Sequence, residues 1–487
     1  MTTNKSFKSH PLAILTYLKP FLFVLLVPLL KAGVQFLADG KADNVIISES
    51  VTAILITVYA VLKYRNFLLR IEGDTLYLRL GIIAVRRVKV RLKTISSVEL
   101  TRNPLDYLFS AATVMINTEA GRKGRADYSF KLSLRAAREL KDIIADEESE
   151  QKIAIKFSPV KIALAAAATS STTAGIIITV PIIWRAGKLL GMAIDDMLLK
   201  EINNVSNRFS SYIPPIVNTV TLVFLFFYLA SFTYTFFKST GFKLMLKSRT
   251  IDVASGLLVR KNISLKKTAV NSISIEQTPF MRLLRKSLLR VEIGGYGGAR
   301  GETATVIPVS ENYNIKREAQ LLFPQFKFMG GDDEGETKKS PVCTGERRRS
   351  LFRLLAIPFY WLAVILIIYP ILSSIFVPFA DLVAFLTAIC IGIICYRFYL
   401  CFYNYKNGKM IFGDVVFACY SKGIKTRSMY CDARKIGMIT ITEYPIDRKM
   451  KTCKVKIQMR SESSDYMSVK CISAEKIKKQ IAKAYKL

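Results

Sequence analysis

Histidine is nearly missing from this chain, with His10 the only one in 487 residues. A Cys/His zinc site therefore cannot be assembled, and a histidine-based nucleophilic triad has no base near a folded segment. Cysteine is absent from the first 342 residues. The eight that exist lie between Cys343 and Cys471, no two are spaced CxxC, and Cys390, Cys395 and Cys401 fall in or beside an apolar run. They read as reduced structural thiols, not as a disulfide framework. GxSxG and HExxH are missing, and carboxylates are few and scattered, with Asp332–Glu336 sitting in a glycine-rich linker. The glycine cluster Gly294–Gly301 lacks the GlyLysSer or GlyLysThr of a phosphate-binding loop and reads as a strand-to-strand turn. No enzyme, no metal and no cofactor is expected.

What the chain does have is 51% hydrophobic residues beside a net charge of +34. That much apolar sequence and that much charge must be spatially separated, as in a protein whose Lys and Arg mark the cytoplasmic side of a bilayer. Six segments approach the ~20 apolar residues that a bilayer core requires. They pair as Ile14 to Leu37 with Val45 to Leu62, Ile162 to Trp184 with Tyr212 to Phe237, and Leu351 to Phe376 with Leu382 to Tyr403. The first run, Pro11 to Leu37, is long and ends without a small-residue cleavage pattern, so it reads as a retained helix. The segments after each pair carry the basic residues, which predicts a multi-pass protein of the inner (plasma) membrane with both termini cytoplasmic. The connection near residues 189–205 places Leu190, Ile194, Met197, Leu198, Ile202 and Val205 on one face, predicting an external amphipathic helix.

An internal repeat is the strongest pattern. Leu76–Gly81 lies over Ile251–Gly256 at an offset of 175 residues, and Ile95, Val98, Leu100, Pro104, Leu105 and Leu108 then fall on Val270, Ile273, Ile275, Pro279, Phe280 and Leu283 without a gap. Thr94–Asp106 lies over Lys435–Asp447 at an offset of 341. Short alternating runs separated by Gly or Pro predict strands. Ser133, Ser310 and Ser473 each precede a closing helix.

The runs Val270–Leu284 and Thr94–Leu108, with the Gly256 and Gly81 turns, resemble the bacterial pleckstrin-homology-like (PH-like) domain of membrane-flanked proteins. The alternation of helix pairs with three such domains is similar to the YdbT-like group. The third copy departs from it, with its glycine turn near Gly423 and no GlnThrPro signature. The resemblance implies small seven-stranded domains with a C-terminal helix, a smaller membrane partner bearing a single such domain, and no settled activity. The expected fold is an α+β membrane protein of six transmembrane helices in three pairs, each pair followed by a small cytosolic PH-like β-sandwich or barrel with a C-terminal helix. The expected organisation is helix pairs at 11–65, 160–238 and 351–404, domains at 66–155, 239–326 and 405–487, and a linker at 327–350.

Two candidate sites emerge. Arg87, Lys89, Arg91 and Lys93 alternate with Val88, Val90 and Leu92, and period-two spacing sets the four cations on one strand face, where anionic lipid headgroups would be met. Ala163, Ala167, Ser171 and Gly175 recur every four residues in the third span, a spacing that lets helices approach closely. Nearby Thr169, Ser170, Thr172 and Thr173 suggest the alternative of a polar groove in a lipid- or solute-passage protein. No span centre carries the ionisable residue of an ion-coupled carrier. Basicity alone gives only sequence-independent attraction to nucleic acid, and recognition motifs are absent. The function expected is a non-enzymatic membrane scaffold that binds a partner protein or inner-leaflet lipid in envelope maintenance or protection.

Overall fold

Alternation of apolar and polar residues decides the local structure first, and the glycine and proline positions decide where each strand stops. The computed structural model describes residues 5–21, 44–82, 84–119, 121, 126–145, 153–171, 176, 179, 197–198, 200–202, 204–205, 215–294, 303–326, 347–375, 380–449, 451–459 and 466–485. The first repeat runs β1 (Lys5–Phe7), α1 (Leu12–Leu18), α2 (Asn44–Arg65), β2 (Leu68–Glu72), β3 (Thr75–Leu80), β4 (Arg86–Arg91), β5 (Ile95–Arg102), α3 (Pro104–Leu108), β6 (Ala111–Thr118), β7 (Tyr128–Ser133) and α4 (Leu134–Ala145). The second runs β8 (Ile153–Lys156), α5 (Pro159–Thr169), α6 (Pro215–Ser239), β9 (Lys243–Leu246), β10 (Thr250–Ser255), β11 (Arg260–Lys266), β12 (Val270–Gln277), α7 (Pro279–Leu283), β13 (Lys286–Ile293), β14 (Ala304–Glu311) and α8 (Ile315–Leu322). The third runs α9 (Arg347–Ile375), α10 (Ala380–Asn407), β15 (Lys409–Ile411), β16 (Val415–Lys422), β17 (Lys425–Asp432), β18 (Ile436–Thr442), α11 (Pro445–Lys449), β19 (Thr452–Met459), β20 (Tyr466–Ser473) and α12 (Ala474–Tyr485).

The repeat survives down to single backbone angles. Each copy has a one-turn helix opened by Pro104, Pro279 or Pro445, where a missing N–H costs nothing. Each is followed by a residue at positive φ: Ser110 (49°), Arg285 (53°) and Lys451 (52°). Their carbonyls accept the equivalent bonds from Leu134, Asn312 and Ala474 N–H groups at 2.8, 3.2 and 3.1 Å. A left-handed residue with a side chain costs about 1–2 kcal/mol, so its recurrence at one position in three copies marks a shared corner of the fold. Asp106 and Asp447, both fully buried, cap this turn in the first and third copies by accepting from the Asn103 and Tyr444 N–H groups.

The described residues divide into two compact units. One comprises Met1–Ile155, Lys243–Ala269 and Ile293–Glu302; the other comprises Lys156–Phe242, Val270–Glu292 and Thr303–Leu487. The first unit holds a four-stranded antiparallel sheet in the order β1-β2-β3-β4 and a larger one in the order β7-β6-β5-β11-β10-β9-β8. Leu69, Ile71, Leu76, Leu78, Ile116 and Leu132 fill its core, and the amphipathic α4 closes it with Ala137, Leu140 and Ile144. Each fully buried Leu or Ile contributes about 1.5–3 kcal/mol. The second unit holds a sheet in the order β14-β13-β12-β17-β16-β15 and a three-stranded sheet β18-β19-β20. Its third-repeat core is built on Val416, Met429, Val455, Ile457 and Met467, with Ile477 of α12 plugging it.

Six spans in three pairs are not what the structure contains. Among the described residues only two helical stretches, Val217–Ser239 of α6 and Val383–Asn404 of α10, are long and apolar enough to cross a membrane. The remaining apolar helical stretches are short: Leu12–Phe21, Pro159–Thr169 and Pro358–Ser374. At about 1.5 Å per residue even the last falls short of a ~30 Å hydrocarbon core. Within the expected third span α5 ends at Thr169 and Ser170 and Ser171 are not helical, although Ile176 and Thr179 are helical again, and Ala165 and Ala168 of α5 pack into a protein core with Met281, Leu288 and Val309. α2 is long but diluted by Ser48, Glu49, Ser50 and Thr52. Residues 22–37 of the first expected span lie outside the described residues, as do most of the expected external helix, Thr172, Thr173 and Gly175.

Candidate functional site

Among the described residues no three His, Cys, Asp or Glu side chains converge as a metal site would require. The recurring feature is instead an edge-to-edge junction between repeats. In the first unit β5 of the first repeat pairs antiparallel with β11 of the second, with Thr101 opposite Lys261 and Glu99 opposite Ile263. In the second unit β12 of the second repeat pairs antiparallel with β17 of the third, with Glu276 opposite Arg427 and Ser274 opposite Met429. Under the repeat these are the same positions, so both junctions share one register. Each repeat thus has a donor strand (β5, β12 or β18) and, immediately before it, an acceptor strand (β4, β11 or β17).

Both junctions are fastened by buried ionic contacts, which hold register because a one-residue slip would strand a charge. At the first, Lys261 Nζ lies 3.0 Å from the buried Glu99 carboxylate, and α4 lies over the outward face of β10 and β11. There Lys141 Nζ reaches Asp252 at 2.7 Å and the Asn262 side chain at 3.1 Å, while Lys247 lies 3.3 Å from Asp252 and Ser264 donates to it. Both Lys141 and Asp252 are buried. At the second, buried Glu276 meets Arg427 at 2.7 Å and Arg290 at 3.4 Å, and Lys435 Nζ bonds the Val270 carbonyl at 2.8 Å. Burial, reinforced by Arg290, holds the Lys425 ammonium below the ordinary lysine range. Burial beside Glu292 pushes the Cys431 thiol up to about 12.

The predicted basic residues occupy one end of this system. β4 is an edge strand, and Arg86, Arg87, Lys89 and Arg91 along it are exposed, while Val90 turns into the core. Lys89 stands 5.3 Å from the Tyr77 ring centre. Lys93 does not continue the stripe, because residues Leu92–Thr94 form a 3-10 turn, and it faces Asp74 at 3.9 Å instead. The second-repeat equivalents of Arg87, Lys89 and Arg91 are Asn262, Ser264 and Lys266, on the acceptor strand of the first junction. Of the small-residue stripe, Ala167 and Ser171 meet α6: the Ala167 carbonyl accepts from Tyr228 and the Ser171 N–H donates to Ser231. Ala163 is half-buried. The Thr169 and Ser170 hydroxyls are turned back onto the Ala165 and Ala166 carbonyls. The sequence did not point to the junction residues Glu99, Lys141, Asp252 and Glu276, whose charges carry no local signal of pairing. A cleft of about 940 Å3, bordered by Trp361, Ile393, Arg397, Tyr420, Lys454 and Lys470, opens in the second unit.

The family model described as the bacterial PH domain matches residues 14–148 and 195–320, more than half of the chain. The chain belongs to the bacterial PH domain family. No curated protein and no solved structure matches it. The two matched stretches cover the first two PH-like repeats, and the third repeat, beyond them, shares their local geometry at Pro445, Lys451 and α12. PH-like domains present in tandem are consistent with an interaction or scaffold role, and the two apolar helices with membrane association.

Proposed function

We propose that this chain is a non-enzymatic scaffold associated with the membrane through the apolar α6 and α10, whose PH-like domains, joined by strand pairing and so on one side of the membrane, the cytoplasmic one, hold a partner membrane protein in envelope maintenance or protection. The observation that carries this reading is the paired edge strands, β5 with β11 and β12 with β17. They put the PH-like repeats to use in binding one another rather than in enclosing a substrate. The basic segments that follow α6 and α10 support a cytoplasmic placement of the domains and termini, and the resemblance to the YdbT-like group supports a smaller partner with a single PH-like domain.

A second ligand class, anionic lipid of the inner leaflet, is favoured by the cleft in which Arg397, Lys454 and Lys470 stand beside Trp361 and Ile393. The test of the scaffold reading uses the full chain purified in mild detergent and reconstituted in liposomes. A partner retained in fixed ratio, with no movement of solute or lipid, is expected. Flux that disappears on Thr172→Val/Thr173→Val substitution would establish a passage protein instead.

A further inference from the structure

The two junctions leave one acceptor strand and one donor strand with an edge that pairs with no strand among the described residues: β4, bonded only to β3 at the end of its sheet, and β18, bonded only to β19 at the end of its own. The contrast in burial is large. Seven of the eight residues in each of the paired donors β5 and β12 are buried, whereas β18 has none, and Met438 in it is 54% exposed. An exposed edge of backbone N–H and C=O groups is a template for strand addition. In both occupied cases the strand that fills the acceptor comes from a PH-like repeat and arrives in one register.

Charge then selects the occupant of β4. At the first junction the donor repeat brings its final helix over the acceptor sheet, and a cation on it, Lys141, meets Asp252. On the first repeat the position of Asp252 is Tyr77, and the flanking positions of Asn262 and Ser264 are Arg87 and Lys89. The polarity is inverted: Arg87 and Lys89 stand where the occupied acceptor has neutral residues, and the one acid on this face, Glu72 at the position of Lys247, is paired with Arg70, so the net cationic face favours an acidic helix. A second copy of the chain supplies the opposite, since α12 carries Lys476, Lys478, Lys479 and Lys483 against a single Glu475. Like charges brought together on an edge repel copies of the chain while leaving the backbone template intact, which is how specificity is built against a wrong partner.

We infer that β4 is the docking edge for a separate chain bearing a PH-like domain, which adds its donor strand antiparallel to Arg86–Arg91 and lays an acidic final helix over Arg87 and Lys89. This rests on the scaffold reading and names where its partner binds. By the shared register the donor residue opposite Val88 is the one equivalent to Glu99, Ser274 and Thr440.

Two measurements on the full chain test it. A photo-crosslinking residue replacing Arg87, in native membranes, is expected to form its adduct with an edge strand of another PH-like chain whose last helix is acidic, identified by peptide sequencing. An adduct with residues 436–442 of this chain would make the occupant a second copy, an adduct with phospholipid would make the edge a lipid site, and no adduct would leave the edge unused; each overturns the inference. The same residue placed at Thr442 separates the failures. Adducts there alone reject only the β4 assignment, and none at either position rejects the scaffold as well. The second measurement pairs Val88→Cys with Thr440→Cys in differently tagged full chains. Introducing Tyr77→Asp, Arg87→Asn and Lys89→Ser, the residues of the occupied acceptor, is expected to raise the intermolecular disulfide at least tenfold. An equal yield without those changes would show that charge does not exclude a second copy.

Discussion

Removing the Asp252 carboxylate should loosen the first junction without touching any apolar core. The carboxylate, 5% exposed, accepts from Lys141 and Ser264 and lies 3.3 Å from Lys247, and the Lys141 side chain is itself only 6% exposed. Asp252→Ala leaves two ammonium groups facing each other where water is scarce, and stripping one partner from a buried pair costs about 3–5 kcal/mol. Lys141→Met leaves Asp252 still served by Lys247 and Ser264, so its cost is nearer the ~1.5–3 kcal/mol of one charged hydrogen bond. The double variant Lys141→Met/Asp252→Leu removes both charges and should recover much of the loss, because burying neither is often no worse than burying both. Unfolding of a multidomain chain is not two-state. The suitable readout is therefore hydrogen exchange of the β5 and β11 amides, whose opening free energy is local. With about 1.4 kcal/mol per factor of ten, Asp252→Ala should speed exchange between about a hundredfold and a few thousandfold. Exchange within threefold of the wild type, or a double variant as open as Asp252→Ala, would refute the idea that this pair holds the two repeats together.

Gly256 has φ +102° and an added Cβ would lie 2.0 Å from the Val259 carbonyl oxygen, whereas Gly73, at φ +57°, opens onto empty space. Gly256→Ala should therefore lower thermal stability by more than the roughly 1–2 kcal/mol that backbone handedness alone costs Gly73→Ala, and equal losses would show that the Gly256 turn is not tightly closed. Cys431, buried and with its thiol pushed up to about 12, should resist iodoacetamide at pH 8 until the chain is denatured, and rapid native labelling followed by mass spectrometry would contradict its placement. Lys425 has its folded-state pKa lowered, by burial first and Arg290 second. Between that lowered value and 10.5 the unfolded chain binds more protons, so this group's contribution to stability rises as pH climbs through the window. Lys425→Met should stabilise the chain at pH 7 and flatten that rise; a stability loss at pH 7 would mean that the charge is usefully paired.

The sequence by itself determined the repeat, the strand alternation and the corner turns, because these depend on local rules: glycine where φ must be positive at Gly81 and Gly256, proline where a short helix opens at Pro104, Pro279 and Pro445. It also showed the basic alternation on Arg87, Lys89 and Arg91, although Lys93 departs into a 3-10 turn that no periodicity announces. Hydropathy overcounted the spans, since an apolar run reads alike whether it crosses a bilayer or, as at Ala165 and Ala168, packs beside Met281 and Val309. Which strand edges are occupied was a tertiary decision. β4 and β11 carry the same alternation, and so do β5 and β18. Only pairing between residues about 160 positions apart, as at Thr101 and Lys261, distinguishes an acceptor already filled from one still open, because a strand's pattern records which face is buried and nothing about which neighbour takes its backbone hydrogen bonds.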